Sequence, residues 1–220
     1  MGKWVFGELS GAAVRRDPNE AELFKTEQAE ENEYAGNDAL VREVLQNAID
    51  ARHEGEVLRV RLAVHEPDEA PGRERLADYF KRLREPLELR QVTYDASGCP
   101  TEPCRFLVCE DFGTRGLEGD VLLSSDPLAS AAVRQDFFWF WRNIGRSAKT
   151  HQDLGRWGLG KTVYRAASRV GCMFGLTVRR SDRQKYLMGQ AVLQIHTYNG
   201  KEYMPEGFWC DRQDELGLPL

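Results

Sequence analysis

The chain lacks the cysteine patterns of a disulfide-stapled or zinc-binding protein. Its 220 residues include five cysteines, an odd number, and no two of them form a C-x-x-C pair. A disulfide framework pairs its cysteines, and structural zinc sites take their ligands from closely spaced cysteines and histidines. The four histidines are scattered, with no ligand spacing between any two. We therefore expect reduced thiols and a cytoplasmic protein.

The chain also lacks a long apolar run and an excess of basic charge. No stretch approaches the roughly 20 apolar residues of a membrane-spanning helix, and residues 1–10 do not resemble a signal peptide. The net charge is -5, so there is no domain-wide field that would attract nucleic acid. We expect no membrane partner, and no nucleic acid bound through this domain alone.

Helical patterns come early in the chain and strand patterns dominate late. We predict helices at 38–53, 71–84, 131–143 and 161–167, and strands at 57–65, 105–109, 172–180 and 186–196. This order predicts an α+β domain, a two-layer sandwich with a mixed, mostly antiparallel sheet and helices on one face. Residues 36–220 would form this domain and residues 1–35 an N-terminal arm or helix. The uncapped end at Leu220 suggests a piece of a longer protein.

Residues 40–52, LVREVLQNAIDAR, predict a helix with a single polar stripe. At about 100° per residue, Glu43, Asn47 and Asp50 fall within roughly 60° of each other. Apolar residues cover most of the remaining surface, so we expect a mostly buried helix. Buried carboxylates are costly unless they are paired or bind a cation. A stripe that simply faces water explains the same pattern.

A second candidate site follows the short apolar strand at 105–109. Asp111 comes at the strand end, and a turn with Gly113, Thr114 and Gly116 follows. A carboxylate in this position can accept a hydrogen bond from the amino group of a nucleotide base, and glycines let the backbone approach the ring of that base. An ordinary turn with Asp and Gly explains the residues equally well.

A third candidate site, GRWGLGKT at 155–162, fits two patterns. It satisfies the P-loop pattern G-x-x-x-x-G-K-[ST], but a P-loop follows directly on a buried strand, and residues 147–154 are polar. A P-loop would make Lys161 essential for nucleotide binding and Asn47 and Asp111 dispensable. The same segment also fits G-x-x-G-x-G, a loop that runs into a helix whose free N–H groups can hold phosphate.

Together the three segments resemble the GHKL ATPases, the family of gyrase, the ninety-kilodalton heat-shock chaperones, MutL and the sensor histidine kinases. E-x-x-x-N-x-x-D-A at 43–51 resembles the family's N-box, and Gly155, Gly158 and Gly160 resemble its lid motif. The turn after Asp111 resembles D-x-G-x-G, with the second glycine one residue late. Because histidine kinases usually lack the D-A ending, the chain looks nearest to the MutL and MORC-type bacterial branch.

The resemblance implies the Bergerat fold and magnesium-dependent ATP hydrolysis. It implies Glu43 as general base, Asn47 as Mg²⁺ ligand, Asp50 as an organiser of the pocket and Asp111 as the partner of adenine. Gln190, in a late strand, would touch adenine through water or would be a sheet residue with no ligand. The further nucleotide contacts that it implies are Gly113, Thr114, Gly116, Lys149, Gly155, Gly158, Leu159, Gly160, Lys161 and Thr162.

By the same resemblance we expect a nucleotide-gated switch. ATP would favour self-association, and slow hydrolysis would release it, on behalf of an effector domain or other subunits outside this sequence. DNA metabolism and antiphage defence are the processes expected by analogy. Two alternatives stay open: a histidine-kinase-like phosphotransfer domain, and a module that binds nucleotide without hydrolysing it.

Overall fold

The computed structural model describes residues 2–11, 35–90, 92, 94, 96–125, 134–142, 162–211 and 218–220, and both helices and strands occur in these ranges. The strands are β1 (Lys3–Glu8), β2 (Arg59–His65), β3 (Phe106–Phe112), β4 (Cys172–Val178), β5 (Lys185–Val192), β6 (His196–Tyr198) and β7 (Lys201–Cys210). The helices are α1 (Ala35–Ala51), α2 (Arg73–Leu87), α3 (Asp136–Trp141) and α4 (Thr162–Ala166). The chain is of the α+β class. The boundary predicted at residue 35 stays a prediction, because residues 12–34 lie outside these ranges.

The strands form two separate sheets. Five of them make an antiparallel sheet in the order β1-β7-β5-β4, with β6 also paired to β7. β2 and β3 pair only with each other, from Arg59 opposite Phe112 to His65 opposite Phe106. The prediction of one sheet is therefore wrong for the described residues. Every ladder between these strands is antiparallel.

Different helices cover the two faces of the five-stranded sheet. In β5, Leu187 and Ala191 pack into the core beneath α2, with Leu83, whereas Met188 packs against Phe137 of α3. Successive strand side chains point to opposite faces, so α2 and α3 lie on opposite sides of this sheet. Among the described residues, the prediction of helices on one face is therefore wrong, and the reason is that β5 buries Leu187 and Ala191 on one face and Met188 on the other.

α2 covers its face of the sheet because its apolar residues recur at helical spacing. Leu76, Tyr79, Phe80, Leu83 and Leu87 follow an i, i+3, i+4 pattern, which gathers them on one side. Leu83 and Leu87 are buried, and Tyr79 accepts a hydrogen bond at its carbonyl from the Trp4 indole of β1 at 2.7 Å.

β3 is more exposed than its sequence predicts. The segment at 105–109 was expected to be a buried strand, yet Leu107 is 44% exposed and Phe112 at the strand end 42%. The reason is that β3 belongs to the separate two-stranded sheet, and its side chains are not part of either buried core cluster of the described residues.

All five cysteines are free thiols. Burial raises the pKa of Cys99 to about 11 and that of Cys172 to about 12, so both are neutral groups within the core beneath α2. In the described parts of the chain, every helix is too short or too polar to cross a membrane.

His196 is a buried histidine between two aromatic rings. It stacks on Tyr203 at 5.7 Å and meets Phe6 edge-on at 5.0 Å. Its Nδ1 lies 2.9 Å from the Gln194 carbonyl, which accepts a hydrogen bond from the ring N–H. Burial lowers the pKa of His196, against the opposing effect of the Gln194 carbonyl. The neutral ring is therefore the form that the fold accommodates.

Acid should destabilise the fold through His196. Its pKa is lower in the folded than in the unfolded chain, where it is about 6.5, so its contribution is present above that pH and is lost as pH falls through the folded pKa. Urea unfolding at pH 7.5 and pH 5 measures this loss. In His196→Phe, which keeps an aromatic ring between Phe6 and Tyr203, the loss between the two pH values should be smaller than in the wild type. An equal loss in both proteins would contradict the assignment.

Candidate functional site

In α1 the polar stripe lies on the side of the fold together with the buried apolar residues Ala39, Val44 and Ala48, and a second set of apolar residues faces solvent. Glu43 and Asn47 lie on the same side of the helix as buried Ala39. Val41 and Leu45 lie on the opposite side and are about 40% exposed. Neither the expected mostly buried helix nor an ordinary amphipathic helix with its polar stripe in water describes this arrangement. The polar stripe is directed inward although its side chains are costly to bury.

The three stripe residues differ in their polar contacts. The Glu43 carboxylate is 21% exposed and lies 3.7 Å from the Arg42 guanidinium. Asp50 accepts a hydrogen bond from the Gln46 amide at 3.0 Å. Asn47 Nδ2 is buried and, among the described residues, has no hydrogen-bond partner. A buried donor without a partner costs free energy. A ligand that offers a hydrogen-bond acceptor to the Asn47 N–H would remove this cost.

Tyr164 of α4 lies beside this stripe. Burial raises the pKa of Tyr164 to about 12, the nearby Asn47 amide opposes the rise, and the charges of Glu43 and Asp111 add to it. The Asn47 amide is thus close to the phenol without a formed hydrogen bond from Nδ2. Tyr164 was not predicted as a site residue, and its sequence position gives no motif by which to find it.

The end of α1 is joined to the turn that follows β3. His53 donates its backbone N–H to the Gly113 carbonyl at 2.9 Å, and Arg115 donates its backbone N–H to the Ala51 carbonyl at 3.0 Å. Arg52 and Thr114 form a β-bridge at the same place. The first two predicted sites, distant in sequence, are therefore held together by backbone hydrogen bonds.

The Arg115 side chain ties the same turn to two further elements. Its guanidinium donates to the Asp50 carbonyl at 2.7 Å and pairs with the Asp136 carboxylate of α3 at 3.1 Å. Both side chains of this ion pair are 19% exposed. The Arg115 backbone carbonyl accepts a hydrogen bond from the N–H of Arg180, a residue that follows β4. We call these contacts the Arg115 junction. Arg115 was not predicted as a site residue. In the sequence, Thr114 and Arg115 stand where the motif has a single spacer, which places the second glycine one position late.

Gly116 is required where the turn passes β4. Its φ is +75°, and a Cβ there would lie 2.4 Å from the Val178 carbonyl. The next residue, Leu117, donates its N–H to Thr177 Oγ1 at 2.8 Å. Gly113 has φ +78° and similarly approaches the Val57 carbonyl. Both glycines of the motif thus serve close backbone contact within the protein.

Asp111 is an exposed carboxylate at the start of this turn, where it accepts a hydrogen bond from the Thr114 hydroxyl. It and the α1 stripe line one cleft of about 2200 Å³. This is larger than the roughly 300–1,000 Å³ of most ligand pockets, so a nucleotide would occupy part of it. The predicted site residues that line the cleft are Glu43, Asn47, Asp50, Asp111, Gly113, Thr114 and Gly116.

The third predicted site is only marginally described. Thr162, the first residue of α4, is buried and is not among the cleft-lining residues. The other residues of that prediction lie outside the described residues: Lys149, Gly155, Gly158, Leu159, Gly160 and Lys161.

The oxygen atoms beside α1 suit a cation whose other ligands come from the phosphates of a bound nucleotide. Within the described ranges, no cluster of three or more His, Cys, Asp and Glu side chains is placed to hold a metal ion. Asn47, the predicted Mg²⁺ ligand, offers one amide oxygen, and Mg²⁺ takes few protein oxygens when substrate phosphates supply other positions.

No protein-family model, curated protein or solved structure matches the chain. The resemblance to the GHKL ATPases therefore rests on the motif residues of the sequence alone.

The Arg115 junction should contribute measurably to stability. Arg115→Met removes two partly buried, charge-assisted hydrogen bonds, so the free energy of unfolding in urea should fall by about 2–3 kcal/mol. Arg134→Met is the matched control, because Arg134 pairs with the same Asp136 at 3.4 Å but is 60% exposed. That change should cost about 0–1 kcal/mol. Equal effects of the two variants would contradict the role of the junction.

Gly116→Ala should be more costly than the same change at a free positive-φ glycine. Gly55 has φ +81° and nothing within 4 Å of an added Cβ, so Gly55→Ala measures the backbone conformation alone, about 1–2 kcal/mol. Gly116→Ala adds a clash with the Val178 carbonyl that only a backbone shift relieves. Thermal or urea unfolding of both variants gives the comparison, and a cost at Gly116 no greater than at Gly55 would argue against close contact there.

Proposed function

We propose that the chain binds ATP and hydrolyses it slowly as a GHKL-type domain. The observation that carries the proposal is the inward-facing polar stripe of α1, joined by the Arg115 junction to the turn after Asp111. This arrangement lets Glu43, Asn47 and Asp111 line one cleft. Two carboxylates and an amide beside a glycine turn suit a ligand with a base at one end and phosphates at the other.

Each polar group has a distinct chemical part in this proposal. The exposed Asp111 carboxylate accepts the exocyclic amine of adenine, and the Thr114 hydroxyl keeps that carboxylate oriented. The partly buried Glu43 carboxylate accepts a proton from water as that water attacks the γ-phosphate. Asn47 would hold Mg²⁺, which supplies charge neutralisation at the phosphates when bound. Asp50 acts on the site through its backbone, whose carbonyl receives the Arg115 guanidinium.

The Bergerat architecture is part of the proposal. The α+β class and the antiparallel strands are compatible with it. The covering of the five-stranded sheet by helices on both faces departs from the expected two-layer arrangement. The support for the proposal therefore lies in the cleft residues more than in the layers.

The proposal also includes a conformational change that ATP binding brings about. In a switch of this kind, nucleotide binding favours one conformation and hydrolysis releases it. ATP-dependent self-association, an effector domain or other subunits, and a role in DNA metabolism or antiphage defence follow from the motif resemblance. A rise in mass on adding ATP, measured by light scattering, would support self-association.

Glu43→Ala should abolish hydrolysis and spare binding. Loss of the general base should lower kcat for magnesium-dependent ATP hydrolysis by about 100-fold or more, with Kd for ATP within about threefold of wild type. Phosphate release and calorimetry measure the two quantities. Glu54→Ala is the control, since Glu54 is an exposed glutamate just after α1 that is absent from the cleft lining, and it should leave both unchanged.

Three outcomes would contradict the proposal. If the wild type binds ATP without turnover and Glu43→Ala changes no rate, the chain is a nucleotide-binding module. Transfer of labelled phosphate to protein instead of water indicates a phosphotransfer domain. If Lys161→Ala abolishes binding while Asn47→Ala and Asp111→Ala do not, the P-loop interpretation is correct.

A further inference from the structure

A buried hydrogen-bonded chain joins three elements behind the cleft. Gln190 of β5 is 1% exposed and Arg165 of α4 is 2% exposed. The Arg165 guanidinium donates to Gln190 Oε1, and Gln190 Nε2 donates to the Trp141 carbonyl at 2.8 Å. One amide side chain therefore holds both α4 and the last residue of α3.

The position of Gln190 explains why it can reach both helices. It is two residues from Met188 in β5, so both side chains point to the face of the sheet that α3 covers. A guanidinium at this depth is costly without acceptors, and Gln190 Oε1 provides one. Gln190 thus has internal partners for its oxygen and its nitrogen, and it does not line the cleft.

Arg165 is next to Tyr164 in a helix of five residues. Neighbouring helical residues point about 100° apart, so the guanidinium reaches Gln190 while the phenol lines the cleft with Glu43 and Asn47. The Tyr164 ring also meets Phe140 of α3 at 6.3 Å. A displacement of α4 would therefore move the Tyr164 ring relative to α1, and the hydrogen bond of Arg165 to Gln190 is a contact that opposes such a displacement.

We propose that Gln190 is a positioning residue for the nucleotide site: by holding Arg165 it fixes α4 so that the Tyr164 hydroxyl stays beside Asn47. The proposal rests on the proposed function, because it assigns Tyr164 a contact with bound ATP. It also makes a claim about the protein without nucleotide, namely that the surroundings of Tyr164 depend on Gln190.

A double-mutant cycle tests the link to ATP. Gln190→Leu and Tyr164→Phe should each weaken ATP binding by about 3- to 10-fold, which is the worth of one hydrogen bond. The double variant should bind no more weakly than Gln190→Leu alone, because Tyr164 is already displaced there. Multiplying fold-changes in the double variant would overturn the proposal.

Fluorine NMR tests the link without nucleotide. In protein labelled with 3-fluorotyrosine, the resonance lost in Tyr164→Phe identifies Tyr164, and Gln190→Leu should shift it. Gln184→Leu, the same change in the exposed turn before β5, should not. If the wild type binds no ATP, the proposed function fails but this measurement still decides the inference. An unshifted Tyr164 resonance in Gln190→Leu would overturn it.

Gln190→Glu keeps the test decisive if Gln190→Leu does not fold. The glutamate retains an oxygen acceptor for Arg165, and its second oxygen, which cannot donate while ionised, must turn away from the Trp141 carbonyl. It should keep ATP affinity within about threefold of wild type and leave the Tyr164 resonance in place. A shifted resonance or a tenfold weaker affinity in Gln190→Glu would show that Arg165 is not the route, and would overturn the proposal.

Discussion

The Arg115 guanidinium brings the separate parts of the candidate site together. It is bonded to the Asp50 carbonyl at the end of α1 and to Asp136 of α3, while its own backbone contacts Ala51 and Arg180. β2 and β3 form a sheet of their own, so neither shares a ladder with the five-stranded sheet. The turn after β3 supplies polar contacts that join this two-stranded sheet to α1 and β4. These contacts help to position the Asp111 carboxylate relative to the stripe on α1.

A second constraint is the mismatch between the two sides of α1. The helix directs Glu43 and Asn47 inward and leaves Val41, Leu45 and Ile49 exposed. The helix buries Ala39, Val44 and Ala48 at the same time, so apolar residues lie on both of its sides. Polar groups held on the inner side cost free energy, and such a departure from the general rule is expected where function competes with stability. Tyr164 of α4 lines the cleft on this polar side of the helix.

Local sequence patterns predicted part of this structure. The periodicity of α1 and α2 and the paired strands β4 and β5 are local properties, and these elements lie close to where we predicted them. β1 and β7 were missed. β7 contains Pro205 and Gly207, which argue against a strand. Pro205 is tolerated because β7 exchanges its partner β5 for β6 beside it, and β1 has an irregular register at the same level. The sequence alone contains no local signal of that exchange. The packing of helices on both faces of the five-stranded sheet was also missed. A strand that buries apolar residues on both faces lacks the alternation of apolar and polar residues, so its sequence does not show which faces are covered.

The pairing of β1 with β7 has a consequence for synthesis. Lys3 lies opposite Cys210, and β7 stands between β1 and β5 in the sheet. During translation, β1 therefore emerges first and waits for its partner until about 200 further residues have been added, at roughly 5–20 residues per second. For those seconds β1 is without its partner strand. Once β5 has been added, its open edge is also available to other chains until β7 follows. The cell must hold the nascent polypeptide through this interval, and the cleft takes its final shape only after the ribosome has passed β7.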